Sequence, residues 1–358
     1  MRNKVTIYDV ADRLGISTAT VNRAINNKTC VSEKTRQLVQ QTAEEMGYRP
    51  SKTASSLKRN PKKIAVLFPR TVHGFLSEVE RGVNKAFEDL EDYGVYGEIF
   101  KATTGDHAHY IEKLREIANA NYDGIVILPD FDESSVSSVV RELNQETDTV
   151  YATVTSDLLD SERLFSVQNN GVAAGKMAAE LLSYMIPDKG RPVALVTGQL
   201  SSQVHLKTVE GFLSDLDSYG FHFAGVFEHH DDQQEARDLV EVMLKEIPDL
   251  GGIYFSSANS VTFCCHLREL GRANDMAIIA SDVFPDIVKL MEEHVINATI
   301  FQNPFSQGRL AVQYLYEYMV EGRKFEEDVV LLDPQIVLRS NLPQFSKVLK
   351  QMKDDVIL

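Results

Sequence analysis

Residues 15–26 read GISTATVNRAIN, a run of hydroxyls, amides and small apolar side chains in which Arg23 is the one charge. Ser17, Thr18, Thr20 and Asn22 offer short donors and acceptors. Arg23 offers a fork for guanine, and Ala19 offers a methyl for thymine. That is the set of groups by which the edges of DNA bases are read, whereas further charges would be wasted on neutral bases. A second polar set falls where apolar runs end. Arg70, Thr71, His73 and Phe75 follow IAVLF, and Asp130 and Asp132 follow GIVIL. Ser201, Ser202 and Lys207 follow VALVT, Asn259 follows GIYFS, Asp282 follows AIIAS and Gln302 follows ATIF, while Asn169 and Asn170 precede a helical segment. Amides and carboxylates converging with an aromatic suit a small polyhydroxylated ligand, whose hydroxyls they bind while the ring covers an apolar sugar face. Each can equally serve as a helix cap, Asn170 and Asn259 above all. Motifs for nucleophilic, metal-dependent or nucleotide chemistry (HExxH, a P-loop, G-x-S-x-G, a Cys/His pair) do not occur, and no cofactor is expected. His229-His230-Asp231-Asp232 reads as a solvated turn, because adjacent loop residues rarely converge on a metal.

The elements around the first set are short helices. Thr6 can cap a helix carrying Ile7, Val10, Ala11 and Leu14 at helical spacing, and Gly15 stops it. Ser17 can cap a second, with Val21, Ala24 and Ile25 on its buried side. Ser32 can cap a third, whose stripe is Thr35, Leu38, Val39, Thr42, Ala43 and Met46, before Gly47 ends it. Three helices with a tight turn between the first two make a helix-turn-helix unit over residues 1–49. Residues 50–62, bracketed by Pro50 and Pro61, read as a basic linker.

Charge divides the same way. Residues 1–63 hold 13 Lys/Arg and 5 Asp/Glu, a net of +8, which leaves 24 basic and 47 acidic residues in the rest of a chain whose formal charge is −15. A basic head on an acidic body suits a polyanion-binding module joined to something that should not bind polyanions. From Ile64 onward, seven apolar runs alternate with helical segments at 76–93, 107–120, 134–147, 172–186, 204–219, 233–247 and 259–270. Unbroken apolar runs indicate parallel strands buried on both faces, hence an α/β body of two doubly wound sheets with ligands beyond the strands' carboxyl ends. The expected division is one subdomain at about 63–155 and 303–322 and a second at about 156–302 and 323–342, with a frayed or helical tail at 343–358. Cys30, Cys264 and Cys265 read as reduced thiols. No apolar run spans a bilayer and the N-terminus lacks a signal-peptide core, so a cytoplasmic protein with no membrane partner is expected.

The stretches TIYDVADRLGISTATVNRAINN, VSEKTR and GYRPS resemble the DNA-binding head of the LacI family of bacterial transcription regulators. KTVEGF and SDVFPDIVKLMEEHVINATIFQNPFSQG resemble that family's effector domain, itself similar to periplasmic sugar-binding proteins. The resemblance implies base reading by Thr18, Ala19 and Arg23, and phosphate contacts by Thr6, Ser17, Thr20, Asn22 and Asn26, with Tyr8 in the same DNA-facing set. It implies a hinge that folds on operator DNA, with Leu57 wedged in the minor groove and Ala54 and Lys58 beside it. It places effector contacts on Lys207, Asn259, Asp282 and Gln302. Arg70, His73, Phe75, Asp130 and Asn170 complete the candidate pocket. Departures are Asn22 where Ser is usual, Lys207 for Arg, Asn170 where Asp is common, and PRTVHGFL for a loop with Asn-Pro-Phe.

The function these readings imply is a repressor that binds a near-palindromic operator as a homodimer or tetramer under control of a sugar or sugar acid. The alternatives are a sugar-binding protein or a sugar-modifying enzyme with an appended DNA-binding head, and salt-sensitive DNA binding separates the regulator from both.

Overall fold

The computed structural model describes residues 5, 7–25, 31–46, 61–69, 74–103, 106–129, 132–257 and 259–345. The chain forms two compact units that part at Pro61–Lys62. In the first, α1 (Ile7–Leu14), α2 (Thr18–Ile25) and α3 (Glu33–Glu45) enclose a small core of Val10, Ala11, Val21, Ala24, Val39 and Ala43. Gly15 makes the turn between α1 and α2 at φ +64°, a left-handed conformation that costs glycine little. Ser17 and Ser32 cap α2 and α3 through hydrogen bonds from the Thr20 and Thr35 amides, at 3.1 and 3.2 Å. Leu38, expected in the buried stripe of α3, is 54% exposed. Thr6 and Gly47, and all of the 50–60 segment, lie outside the described residues.

The second unit holds two six-stranded sheets. Strands β1 (Lys62–Phe68), β2 (Val95–Lys101), β3 (Gly124–Ile127), β4 (Val150–Val154), β5 (Phe165–Asn169) and β11 (Val329–Leu332) form the first, in the order β11-β5-β4-β3-β1-β2. Strands β6 (Val193–Thr197), β7 (Phe223–Glu228), β8 (Gly252–Phe255), β9 (Ala277–Ser281), β10 (Ala298–Phe301) and β12 (Gln335–Val337) form the second, in the order β12-β10-β9-β8-β6-β7. All pairings are parallel except β10 with β12. The first lobe carries α4 (Phe75–Glu91), α5 (His107–Ala118), α6 (Glu133–Glu146) and α12 (Pro304–Tyr316). The second carries α7 (Gly171–Met185), α8 (Gln203–Leu216), α9 (Gln233–Glu246), α10 (Ser260–Glu269) and α11 (Pro285–Glu292).

This sheet membership corrects the expected division at two places. Residues 165–169 and 329–332, assigned from sequence to the second subdomain, are strands of the first sheet. The chain therefore crosses between lobes after β5, after β10 and between β11 and β12. The expected tail also begins later, because Leu342 and Phe345 are buried in the second lobe and the Phe345 ring meets Phe301 edge-on with centroids 5.2 Å apart.

Each lobe is locked by one helix pair that meets backbone to backbone. A Cβ added to Gly82 of α4 would lie 2.0 Å from the Phe305 carbonyl oxygen, and one on Gly308 of α12 would lie 2.1 Å from that of Val79. In the second lobe, a Cβ added to Gly175 of α7 would lie 2.2 Å from the Thr208 carbonyl oxygen, and one on Gly211 of α8 would lie 2.1 Å from that of Val172.

Candidate functional site

In the head, α2 turns Val21 and Ala24 into the core, which leaves Ala19, Asn22 and Arg23 exposed and Thr18 half-buried. Thr18, Ala19, Asn22 and Arg23 share one helix face by their three- and four-residue spacing. Ser17, exposed just ahead of α2, also shares a hydroxyl–hydroxyl hydrogen bond with Thr20 at 2.9 Å. Tyr8 is 69% exposed. The sequence candidates Thr6, Asn26, Ala54, Leu57 and Lys58 lie outside the described residues.

In the body, Asp282 follows β9 at φ +66° and is 2% exposed. Its carboxylate accepts from the Gln302 backbone N–H at 2.9 Å and from Gln302 Nε2 at 3.0 Å. Gln302 Oε1 in turn accepts from Asn169 Nδ2 at 3.2 Å, across the lobes. Burial pushes the Asp282 carboxyl up to about 7; the two Gln302 donors oppose this and the Glu78 charge adds to it. Glu78 is itself buried on α4 and ion-paired to Arg81, whose guanidinium stacks 4.4 Å from the Phe305 ring centroid.

Lys207 of α8 donates to Gln168 Oε1 of β5 at 3.2 Å, again across the lobes. Asp157, past β4, is desolvated, yet the Arg163 guanidinium binds it through two nitrogens at 2.5 and 2.7 Å and holds it below the usual carboxylate range. Among the buried side-chain atoms without a hydrogen-bond partner among the described residues are Asn169 Oδ1 and Thr155 Oγ1, at the ends of β5 and β4. Thr155 is also left-handed at φ +72°, an outlier for a β-branched side chain and one that collects at ligand sites.

Several sequence candidates fall elsewhere. Asn170 caps α7, its Oδ1 accepting from the Ala173 N–H at 3.0 Å, so the amide with an unsatisfied atom is its neighbour Asn169. Asn259 opens α10 without a capping hydrogen bond, and its Nδ2 lies 3.4 Å from His229 Nδ1. Phe75 is half-buried at the start of α4. Arg70, His73 and Asp130 lie outside the described residues. Sequence reasoning named Asn169 beside Asn170 but chose Asn170 for the pocket, and it missed Thr155, Glu133 and Phe284. The Phe284 ring packs against Gly74 (3.7 Å from a Cβ built there), and the signal for it was an aromatic immediately past the AIIAS run.

His229–Asp232 is a turn, with His230 and Asp231 at φ +47° and +55° and Asp232 capping α9. It is not solvated throughout, since His229 is fully buried. His229 Nδ1 accepts the Asp231 N–H at 3.1 Å, so Nε2 carries the proton and donates to Ser257 Oγ at 2.6 Å. Burial keeps the ring neutral. With its lone pair occupied, this imidazole cannot take a proton from Ser257. Cys264 is buried and Cys265 half-buried, both free. No group of three or more His, Cys, Asp or Glu among the described residues is arranged to hold a metal.

A basic three-helix head and a two-lobed body with hydrogen-bonding groups at its strand ends invite comparison with known proteins. The family model described as bacterial regulatory proteins, lacI family, matches residues 6–51, and that of the periplasmic binding protein domain matches residues 64–324. The chain belongs to the lacI family of bacterial regulatory proteins. The catabolite control protein A of Priestia megaterium is 24% identical over 94% of this chain and 99% of its own length. The ribose operon repressor of Escherichia coli K12 is 28% identical over 87% and 92%. Among solved structures, a glucose-galactose binding protein from Geobacillus stearothermophilus superposes with a TM-score of 0.72 over 80% of this chain and 100% of its own, at 23% identity. A solute-binding protein from Burkholderia graminis in complex with D-arabinose also gives 0.72, over 79% and 97% at 23% identity, and these two establish the fold. The protein is thus a DNA-binding transcriptional regulator with a small-molecule effector domain.

Proposed function

We propose that this regulator is a cytoplasmic repressor that binds a near-palindromic operator as a homodimer, and that a neutral sugar bound between the lobes controls it. Two heads would present two copies of α2 to successive major grooves, with Thr18, Ala19, Asn22 and Arg23 toward the bases and Ser17, Thr20 and Tyr8 toward the backbone. Helix α4 and its neighbours on the first lobe are the proposed dimer surface. No catalytic role is assigned, in keeping with relatives that are repressors.

The observation that carries the effector reading is the pair of unsatisfied buried atoms, Asn169 Oδ1 and Thr155 Oγ1, in a body that also brings Asp282, Gln302 and Lys207 to its strand ends. Buried polar atoms are costly unless something pairs them, and sugar hydroxyls are suitable partners. The ligand is read as neutral because Arg81 and Arg163 already pair Glu78 and Asp157, which leaves Asp282 and Glu133 against Lys207 among the described groups.

The DNA half is tested by a gel shift of Arg23→Ala against fragments upstream of the regulator's own and neighbouring genes. Operator affinity should fall by roughly tenfold to a hundredfold with the fold intact, the cost of one guanine fork. The effector half is tested by thermal shift against paired neutral sugars and uronates. A neutral sugar should raise the melting temperature more than its uronate, and a reversed ranking would reinstate the sugar-acid reading.

A further inference from the structure

Helix α8 has an unusual start. Ser202 occupies its cap position but makes no capping hydrogen bond of its own. Instead Ser202 Oγ donates to Glu133 Oε1 at 2.9 Å, and the Gln203 backbone N–H, one of the orphan donors of any helix start, donates to Glu133 Oε2 at 3.1 Å. Glu133 is the first residue of α6, in the other lobe. Its carboxylate is anchored on its own side by Ser156 Oγ at 2.5 Å. One carboxylate therefore sits between the positive ends of two helices and supplies the cap that α8 lacks, from across the lobe boundary.

We propose that Glu133 is a latch that holds the two lobes of the body together. The groups on both sides fit that role. Among the described residues of the second lobe it meets donors, the Ser202 hydroxyl and the Gln203 amide. In the first lobe Asp157 is the nearby carboxylate, and Arg163 neutralises it through its two-nitrogen pairing. Lys207, a turn further along α8, reaches Gln168 in the first lobe, so both ends of the first turn and a half of α8 are tied across. The Glu133 bonds use none of the residues assigned to the effector pocket, whereas the Lys207 bond does. A body held in this way resists separation of the lobes, and any opening of the cleft must break the Glu133 contacts.

The latch is tested with no sugar added, so its test stands apart from the sugar reading. Spin labels are placed on exposed positions of the two lobes through Gln145→Cys and Glu210→Cys in a full-length background carrying Cys30→Ser and Cys265→Ser; fully buried Cys264 remains unlabelled. Without added ligand, Glu133→Ala should move the inter-label distance to longer and broader values, and Ser202→Ala should do so less. Glu133→Gln, which keeps an acceptor for the Gln203 amide, should restore part of the short distance. Hydrogen exchange should show the Gln203 amide losing protection by roughly tenfold or more in Glu133→Ala, while core amides of β6 and β8 keep theirs. Unchanged distances in both alanine variants overturn the latch. So does loss of protection throughout the second lobe, because that result makes Glu133 a support of the fold.

Discussion

Asp282 is held by two opposed forces: burial penalises its charge, while two Gln302 donors favour it. Burial wins, and a carboxyl at about 7 in the folded body against 3.8 in an open chain has a defined consequence. Between those values the native state holds a proton that the unfolded state has released, so stability falls as pH rises through that window and levels above it. The stabilising contribution is complete below pH 4 and gone above pH 7. Thermal midpoints of the wild type should therefore drop from pH 5 to pH 7.5, and Asp282→Asn should flatten that slope. An equally steep slope in the variant would assign the proton to another group, Glu133 being the next carboxyl raised by burial. The sequence placed Asp282 and Gln302 in one pocket because both follow apolar runs. That Asn169, not Asn170, joins them depends on which of two adjacent amides caps α7, and composition cannot decide this.

The glycines of the two body motifs have an element-scale role. Gly308 ends the stretch from Gln302, and Gly211 precedes Phe212 in KTVEGF; each is a point where two helices meet at backbone distance. Gly308→Ala must push α12 away from α4 and should cost about 2–3 kcal/mol, the range of overpacking. Gly15→Ala meets no atom within 4 Å and should cost only about 1 kcal/mol, the penalty of its left-handed backbone. Urea unfolding of the two variants compares them directly, and a Gly308→Ala variant as stable as wild type would mean the helix pair slides freely. The same scale explains what was legible. Seven strands showed as unbroken apolar runs because both their faces are covered. Strand β5, FSVQN, did not: it is fully buried but carries Gln168 and Asn169 into the lobe boundary. Strands β2 and β7 lie at sheet edges and are half-exposed or exposed along most of their length, so their patterns blur. Assigning β5 and β11 to the first sheet requires long-range pairing, which local pattern does not encode.

At the scale of the molecule, charge separates the two jobs. The first 63 residues carry a net +8 and the rest −23, so the attraction to a phosphate backbone belongs to the head and the body repels it. Counterion release then governs operator affinity: with several phosphates neutralised per head and the two heads of the proposed dimer on one operator, affinity should fall by roughly a thousandfold or more between 50 and 200 mM salt. Arg23→Ala, at the proposed base contact, should lower affinity at every salt concentration and leave the slope nearly unchanged. Replacement of a backbone-contacting basic residue should shallow the slope by about one unit. Fluorescence anisotropy on a labelled operator across that salt range yields both quantities. If Arg23→Ala changed the slope and left discrimination between operator and random DNA intact, Arg23 would be a phosphate contact. The exposed face of α2 would then position the head without reading the sequence.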